Sequence, residues 1–287
     1  MHLIDTNAYL GHFAARRLHY NTPEGLLALM DRAGIAQACV SSASAICYRN
    51  CHAGNEEMWE ALNDGLTPPP LPRSAALRSG EGNDSGGGVQ ALALQRLIPF
   101  AVINPAYAAW EKDLRWCRET MGARGVRIYP SWHNYKLSDG VCHALAEAAA
   151  ELGMVVSIPQ RVEDYRQRHW LLDTPDVNLN EVAALAAAHP NTKFLVSNAA
   201  GIGGSDLVTK KDDLPANTWV DMCRPDVVYT KELERLVEAL GADRIVFGSC
   251  IPFCYPEPAI IRMEVLRDLG YDVEKIGAGN AAQLLGL

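Results

Sequence analysis

No apolar stretch in the 287 residues approaches the ~20 needed to cross a bilayer, so no transmembrane helix and no membrane partner are expected. The N-terminus has neither a basic flank nor an apolar leader. It runs straight into a strand-like segment, which predicts a cytoplasmic chain without a signal peptide. Positive charge is in deficit, with 26 Lys and Arg against 34 Asp and Glu and a net charge of -8. A phosphate-binding surface needs a basic footprint, so nucleic acid is excluded as a partner. A small anion held by local arginines is not. The tight two-residue cysteine spacing of zinc knuckles is missing: Cys47 and Cys51, like Cys250 and Cys254, have three residues between them. The eight cysteines therefore read as reduced thiols, several of them in the core. No Gly-rich turn follows the first strand-like run, "DTNAYLGHF" having none, which removes the usual mark of a doubly wound nucleotide-binding sheet.

Short apolar, β-branched runs are what the chain does have. They are "HLIDTN" at the start, 36–42, 97–104, 125–130, 154–159, 192–198, 218–223 and 244–249. Their continuous apolarity suits strands covered on both faces. In the opening run, Leu3 and Ile4 meet Asp5, and the polar residues beyond predict a strand that ends there and enters a loop. Helical patterns lie between the runs. Thr22-Pro23-Glu24 supplies a cap, a first-turn proline and a first-turn acid for "PEGLLALMDRAG", and Gly34 closes it. "LSDGVCHALAEAAAELG", the Ala-rich segment from Leu179 to Pro190, and "TKELERLVEALG" follow the same logic. Eight strands, each followed by a helix or a helix-sized gap, predict one (β/α)8 TIM barrel over residues 1–287. A Pro/Gly/Ser-rich stretch at 64–90 interrupts the rhythm and reads as a surface insertion, with a lid or a subunit contact as the functional alternatives.

Four stretches carry a family resemblance: "IDTN" at the first strand, "GVRIYP" at the fourth, "RIVFGSCIPF" at the eighth and the closing "IGAGNAAQLLGL". The chain resembles the amidohydrolase-related family of metal-dependent (β/α)8 hydrolases and decarboxylases, over everything except 64–90. The resemblance implies a metal site whose ligand positions fall on Asn7 and Tyr9, on or beside Pro159, on Asn198 and on Cys250. No expected ligand is retained. Asn is a neutral donor, Tyr would have to ionise from ~10, and Pro offers nothing. No metal is therefore expected, and no other cofactor.

In this fold the working residues sit at the C-terminal ends of strands. After strand four stand Arg127, Tyr129, His133, Tyr135 and Lys136, and His133 is the natural acid/base because it titrates near neutrality. After strand five stand Arg161, Glu163 and Asp164, with arginines suited to a carboxylate. The reading is a metal-independent hydrolase or decarboxylase-like lyase for a small carboxylated or hydroxylated molecule. His133 and Asp164 share acid/base work. Arg127 and Arg161 anchor the anion. Asn7, Tyr9, Tyr135, Asn198, Asp221 and Cys250 shape the pocket. Arg16, Arg17, His19, Tyr48, Arg49 and His52 are rim candidates, with Arg16 and His52 reading first as ordinary polar loop residues. Two alternatives stand: a metalloenzyme with ligands displaced to His12, His133, Glu163 or Asp221, and a non-catalytic binding or partner barrel. A homodimer is the default oligomeric expectation.

Overall fold

The computed structural model describes residues 1–63, 95–170, 172, 174–224 and 231–287; the 64–90 stretch lies outside them. Eight parallel strands follow one another in chain order around one sheet: β1 (Ile4–Leu10), β2 (Gln37–Ser42), β3 (Leu97–Val102), β4 (Gly125–Arg127), β5 (Val155–Pro159), β6 (Phe194–Ser197), β7 (Thr218–Asp221) and β8 (Ile245–Val246). The ring closes between the last and the first. The Thr6 amide donates to Phe247 O at 3.0 Å, the Tyr9 amide donates to Ile251 O at 2.8 Å, and Ala8 bridges Ile251. Among the described residues closure leaves no open sheet edge. This is the (β/α)8 TIM barrel that the strand spacing predicts.

The helices form where capping and periodicity place them. Helix Pro23–Ala33 opens with the Thr22 side chain accepting from the Gly25 amide at 3.2 Å and closes on Gly34 at φ 69°. Helices Gly140–Glu151, Leu179–Ala188 and Glu232–Leu240 fall inside the segments marked by sequence. Their apolar faces pack on the outward residues of the strands, among them Ala8, Leu10, Val126, Ile128, Val156 and Val220. Inside the ring, Ile4, Phe100, Val155, Leu195 and Val246 fill one end, and Tyr9, Val102, Tyr129, Cys223 and Cys250 lie at the other.

Two strands differ from expectation in an instructive way. β1 does not stop at Asp5. Its register with β2 shifts between Asp5 and Ala8, a bulge that re-aims the strand. Ile4 points into the ring before the bulge; Tyr9, five residues on, also points inward after it. Strict alternation would send one of them out. β8 is shorter than 244–249, because Phe247 N turns to donate to Ile276 O at 3.0 Å. Past β4, Pro130–His133 form a one-turn helix.

Candidate functional site

The bulge puts Asn7 inside the barrel. Its Nδ2 donates to Asn198 Oδ1 at 3.0 Å and to Asp221 Oδ2 at 2.9 Å. Asp221 also accepts from the Asn198 and Cys223 amides, at 3.2 and 3.1 Å. Asn198 Nδ2 donates to Cys250 Sγ at 3.2 Å. Residues from β1, β6, β7 and β8 are thus tied into one buried network at the C-terminal ends of the strands. Asn198 and Cys250 hold positive φ, 51° and 62°, a conformation non-glycine residues take at a cost. Burial pushes the Asp221 carboxyl up to about 6 against the donors that favour its charge. Gly248 allows the packing, since a Cβ there would stand 2.8 Å from Asp221 Cβ.

Asp5 lies at the bulge. It accepts from the Asn7 and Ser249 amides at 2.9 and 3.0 Å and from the Ser249 hydroxyl. Burial nevertheless raises it to about 7. Arg127 is fully buried beside this group. It donates to Thr6 O at 3.0 Å and Ala8 O at 3.3 Å and stacks 4.8 Å from the Tyr9 ring centre.

Next to the network, reaching its neighbours Cys223 and Ser249, opens a cleft of about 1080 Å³. It is lined from the segments after β1, β5, β7 and β8 and from helix Glu257–Asp268. Arg16, Arg17, Arg166, Arg224 and Arg262 face it, with Asp164 as its carboxylate. Asp164 is held between two of them, Arg166 Nε at 2.8 Å and Arg224 Nη1 at 3.0 Å. The Arg166 hydrogen bond, with Arg224 adding to it, keeps Asp164 far below the usual carboxylate range. Arg16 Nε stands 3.2 Å from Glu163. Arg262 donates to Cys223 O at 2.7 Å.

The residues singled out by sequence thus separate into two groups. Asn7, Asn198, Asp221 and Cys250 meet, with Tyr9 and Arg127 against them. His133 and Asp164 do not: no hydrogen bond, ion pair or shared cavity joins them among the described residues. His133 sits 3.7 Å from Cys51 Sγ, and burial lowers its imidazole to about 4, so it is neutral at physiological pH. Tyr135 packs in the layer between strands and helices. Arg161 pairs with Asp176 at 2.5 Å. Arg127 lies beneath the mouth rather than on it. Arg224 and Arg262 escaped the sequence reading, and Cys223 and Cys254 entered it only as reduced thiols. Arg224, three residues past Asp221, was open to the strand-end rule; the Arg224–Asp164 contact spans 60 positions and leaves no local pattern.

A divalent catalytic ion needs about three good ligands, commonly His or carboxylate. Among the described residues no group of three His, Cys, Asp or Glu is placed to hold a metal. At the mouth one carboxylate accepts from the Asn7 carboxamide and from the Asn198 backbone amide, the two carboxamides bond to each other, and a guanidinium lies alongside. These donors do not fit such an ion. His12, His133 and Glu163 have other surroundings: His12 is exposed, His133 is against Cys51 and Glu163 is under Arg16.

The amidohydrolase family model matches residues 75–287. No curated protein matches the chain. Among solved structures, the fold is similar to a candidate amidohydrolase from Staphylococcus aureus, with TM-score 0.69 and 14% identity over 100% of both chains. It is similar to a 2,6-dihydroxybenzoate decarboxylase from Rhizobium, with TM-score 0.65 and 15% identity over 100% of this chain and 99% of that one. A dihydroxybenzoic acid decarboxylase from Polaromonas sp. JS666, with bound manganese and 2-nitroresorcinol, gives TM-score 0.64 and 18% identity over 100% and 97%.

Proposed function

The chain belongs to the amidohydrolase family, and on that premise we propose that it is a hydrolase or lyase of a small carboxylated molecule, bound in the arginine-lined cleft and processed without a divalent ion. The cleft is the observation that carries this reading. In a protein of net charge -8, five arginines and one carboxylate line the mouth of the barrel. Guanidinium groups bind carboxylates through paired, charge-assisted hydrogen bonds. Arg16 and Arg224 are the proposed anion holders. Asp164, expected from sequence to act as a base, is here a positioning residue: flanked by two guanidinium groups, it is too weak a base to take a proton near neutrality and instead fixes Arg224.

Proton transfer falls to Asp221. Its carboxyl, raised to about 6, lies near the operating pH, where acid/base catalysis is most effective. Asn7 and Asn198 hold it in place. Arg127 supplies a fixed positive charge beside it, in the place of the Lewis acid that the family's usual chemistry draws on.

The test is a panel of small carboxylates, including 2,6-dihydroxybenzoate and carboxylated lactones and amides, assayed for CO2 release and for hydrolysis with chelator-treated protein. Arg224→Gln should weaken KM for an accepted substrate about 10- to 100-fold, the worth of one charge-assisted contact. Asp221→Asn should lower kcat and remove the limb of the pH profile near 6. Unchanged KM in Arg224→Gln sinks the binding assignment. A stoichiometric divalent ion whose removal abolishes turnover sinks the metal-free claim.

A further inference from the structure

Three cysteines meet where the cleft reaches the ends of β7 and β8. Cys254 N donates to Cys250 O at 3.0 Å, so a single turn sets one thiol near the other. The Cys223 thiol, from the β7 end, contacts both. They do not have the same surroundings. Cys250 is fully buried and accepts from Asn198. Cys223 and Cys254 line the open cleft. Cys254 alone also faces a cation at close range, with Arg224 Nη2 3.7 Å from its sulfur.

A thiolate is stabilised by positive charge and by donors aimed at the sulfur. Cys254 has both. The Cys223 and Cys250 thiols, then Arg224 and Arg16, hold it well below the ordinary thiol range. Its two neighbours are driven the other way, as expected when one of three adjacent thiols takes the charge.

We propose that Cys254 is a reactive thiolate, that hydrogen peroxide oxidises it, and that Cys223 resolves the product as a Cys223–Cys254 disulfide across the floor of the cleft. In the first step the Cys254 sulfur attacks one peroxide oxygen. The O–O bond breaks, hydroxide leaves, and the sulfur, oxidised by two electrons, becomes a sulfenic acid. In the second step the Cys223 sulfur attacks the sulfenic sulfur. The S–O bond breaks, and the departing hydroxyl takes the Cys223 proton to leave as water. Cys223 is the resolving partner because it shares the open cleft with Cys254, whereas Cys250 lies beneath and is engaged by Asn198. This chemistry does not depend on the carboxylate reading.

Cys47 makes the experiment discriminating, because it is the exposed member of the eight thiols while Cys254 is half-buried. Reactivity set by exposure would favour Cys47; reactivity set by the arginines favours Cys254. Reduced full-length protein is treated at pH 6 with limiting iodoacetamide and mapped by peptide mass spectrometry. Cys254 should be labelled first, and Arg224→Gln should slow its labelling at least several-fold relative to Cys47. With peroxide at about one equivalent, a non-reducing map should show Cys223 and Cys254 peptides joined with loss of two hydrogens and separated by dithiothreitol. In Cys223→Ser, dimedone should trap the Cys254 sulfenic acid instead. Labelling of Cys47 ahead of Cys254, a Cys250–Cys254 link, or rates indifferent to Arg224→Gln would each overturn the proposal. The labelling comparison needs no substituted protein, so a folding failure in either variant leaves a decisive measurement.

Discussion

Asp5 accepts three hydrogen bonds and still titrates near neutrality, because burial outweighs all three donors. The linkage has a definite sign. Its folded value of about 7 lies above the ordinary 3.8, so the folded chain keeps a proton that the unfolded chain releases in between. The stability this lends is complete below pH 3.8 and is lost as pH rises through about 7, on the order of 4 kcal/mol for a group buried throughout. Asp5→Asn keeps the shape and removes the titration. In urea melts, wild type should lose stability relative to Asp5→Asn between pH 5 and pH 8. A difference that stays flat over that interval would refute the assignment.

Strands buried on both faces were legible in the sequence because hydropathy reports burial: β3, β5 and β6 lie inside their expected spans. β1 was misjudged for the same reason. Asn7 looks like the start of a loop to any measure of polarity, yet it lies at 0% exposure with Asn198 and Asp221 as partners. Those partners come from strands some 190 and 210 residues away, and no local pattern announces them. His133 shows the converse. It is the obvious titratable residue after β4, but the one-turn helix that carries it folds against Cys51 and the segment around Ala45 and Ile46. Between β7 and β8 the contact to test is Gly248. A methyl group there would press on Asp221 Cβ and Oδ2 at 2.8 and 2.9 Å. Gly248→Ala should cost about 1–3 kcal/mol by overpacking, read from denaturant midpoints. It should also move the pH dependence attributed to Asp221, which a purely structural loss elsewhere in the barrel would not do.

At the scale of the whole molecule, charge is unevenly distributed. The chain is acidic overall, but its mouth is a patch of arginines set in a concave surface. Such a field draws anions inward, and salt screens it over about 10 Å at 0.1 M. The association rate of a carboxylated ligand should fall about 3- to 10-fold as ionic strength rises from about 0.02 to 0.2 M, with the dissociation rate changing less. Stopped-flow binding at several salt concentrations measures this, and a salt-independent association rate would count against the cleft as the entry. Composition alone hid the patch, because its members are scattered along the sequence from Arg16 to Arg262 and gather only when the ring closes.

The bulge in β1 also bears on how this barrel can change its length. Most of the ring would register a deletion as a shortened strand or loop. At Asp5 to Ala8 the extra residue sets which side chains face inward. Removing one residue there would leave Ile4 and Tyr9 four apart, so plain alternation would keep both facing inward. The strand would still pair with β2, but the bend at which Asp5 accepts from the Asn7 and Ser249 amides would be gone. The first strand can lose a residue here without turning its inner wall outward, whereas a loss past the bulge would send every later side chain to the other face.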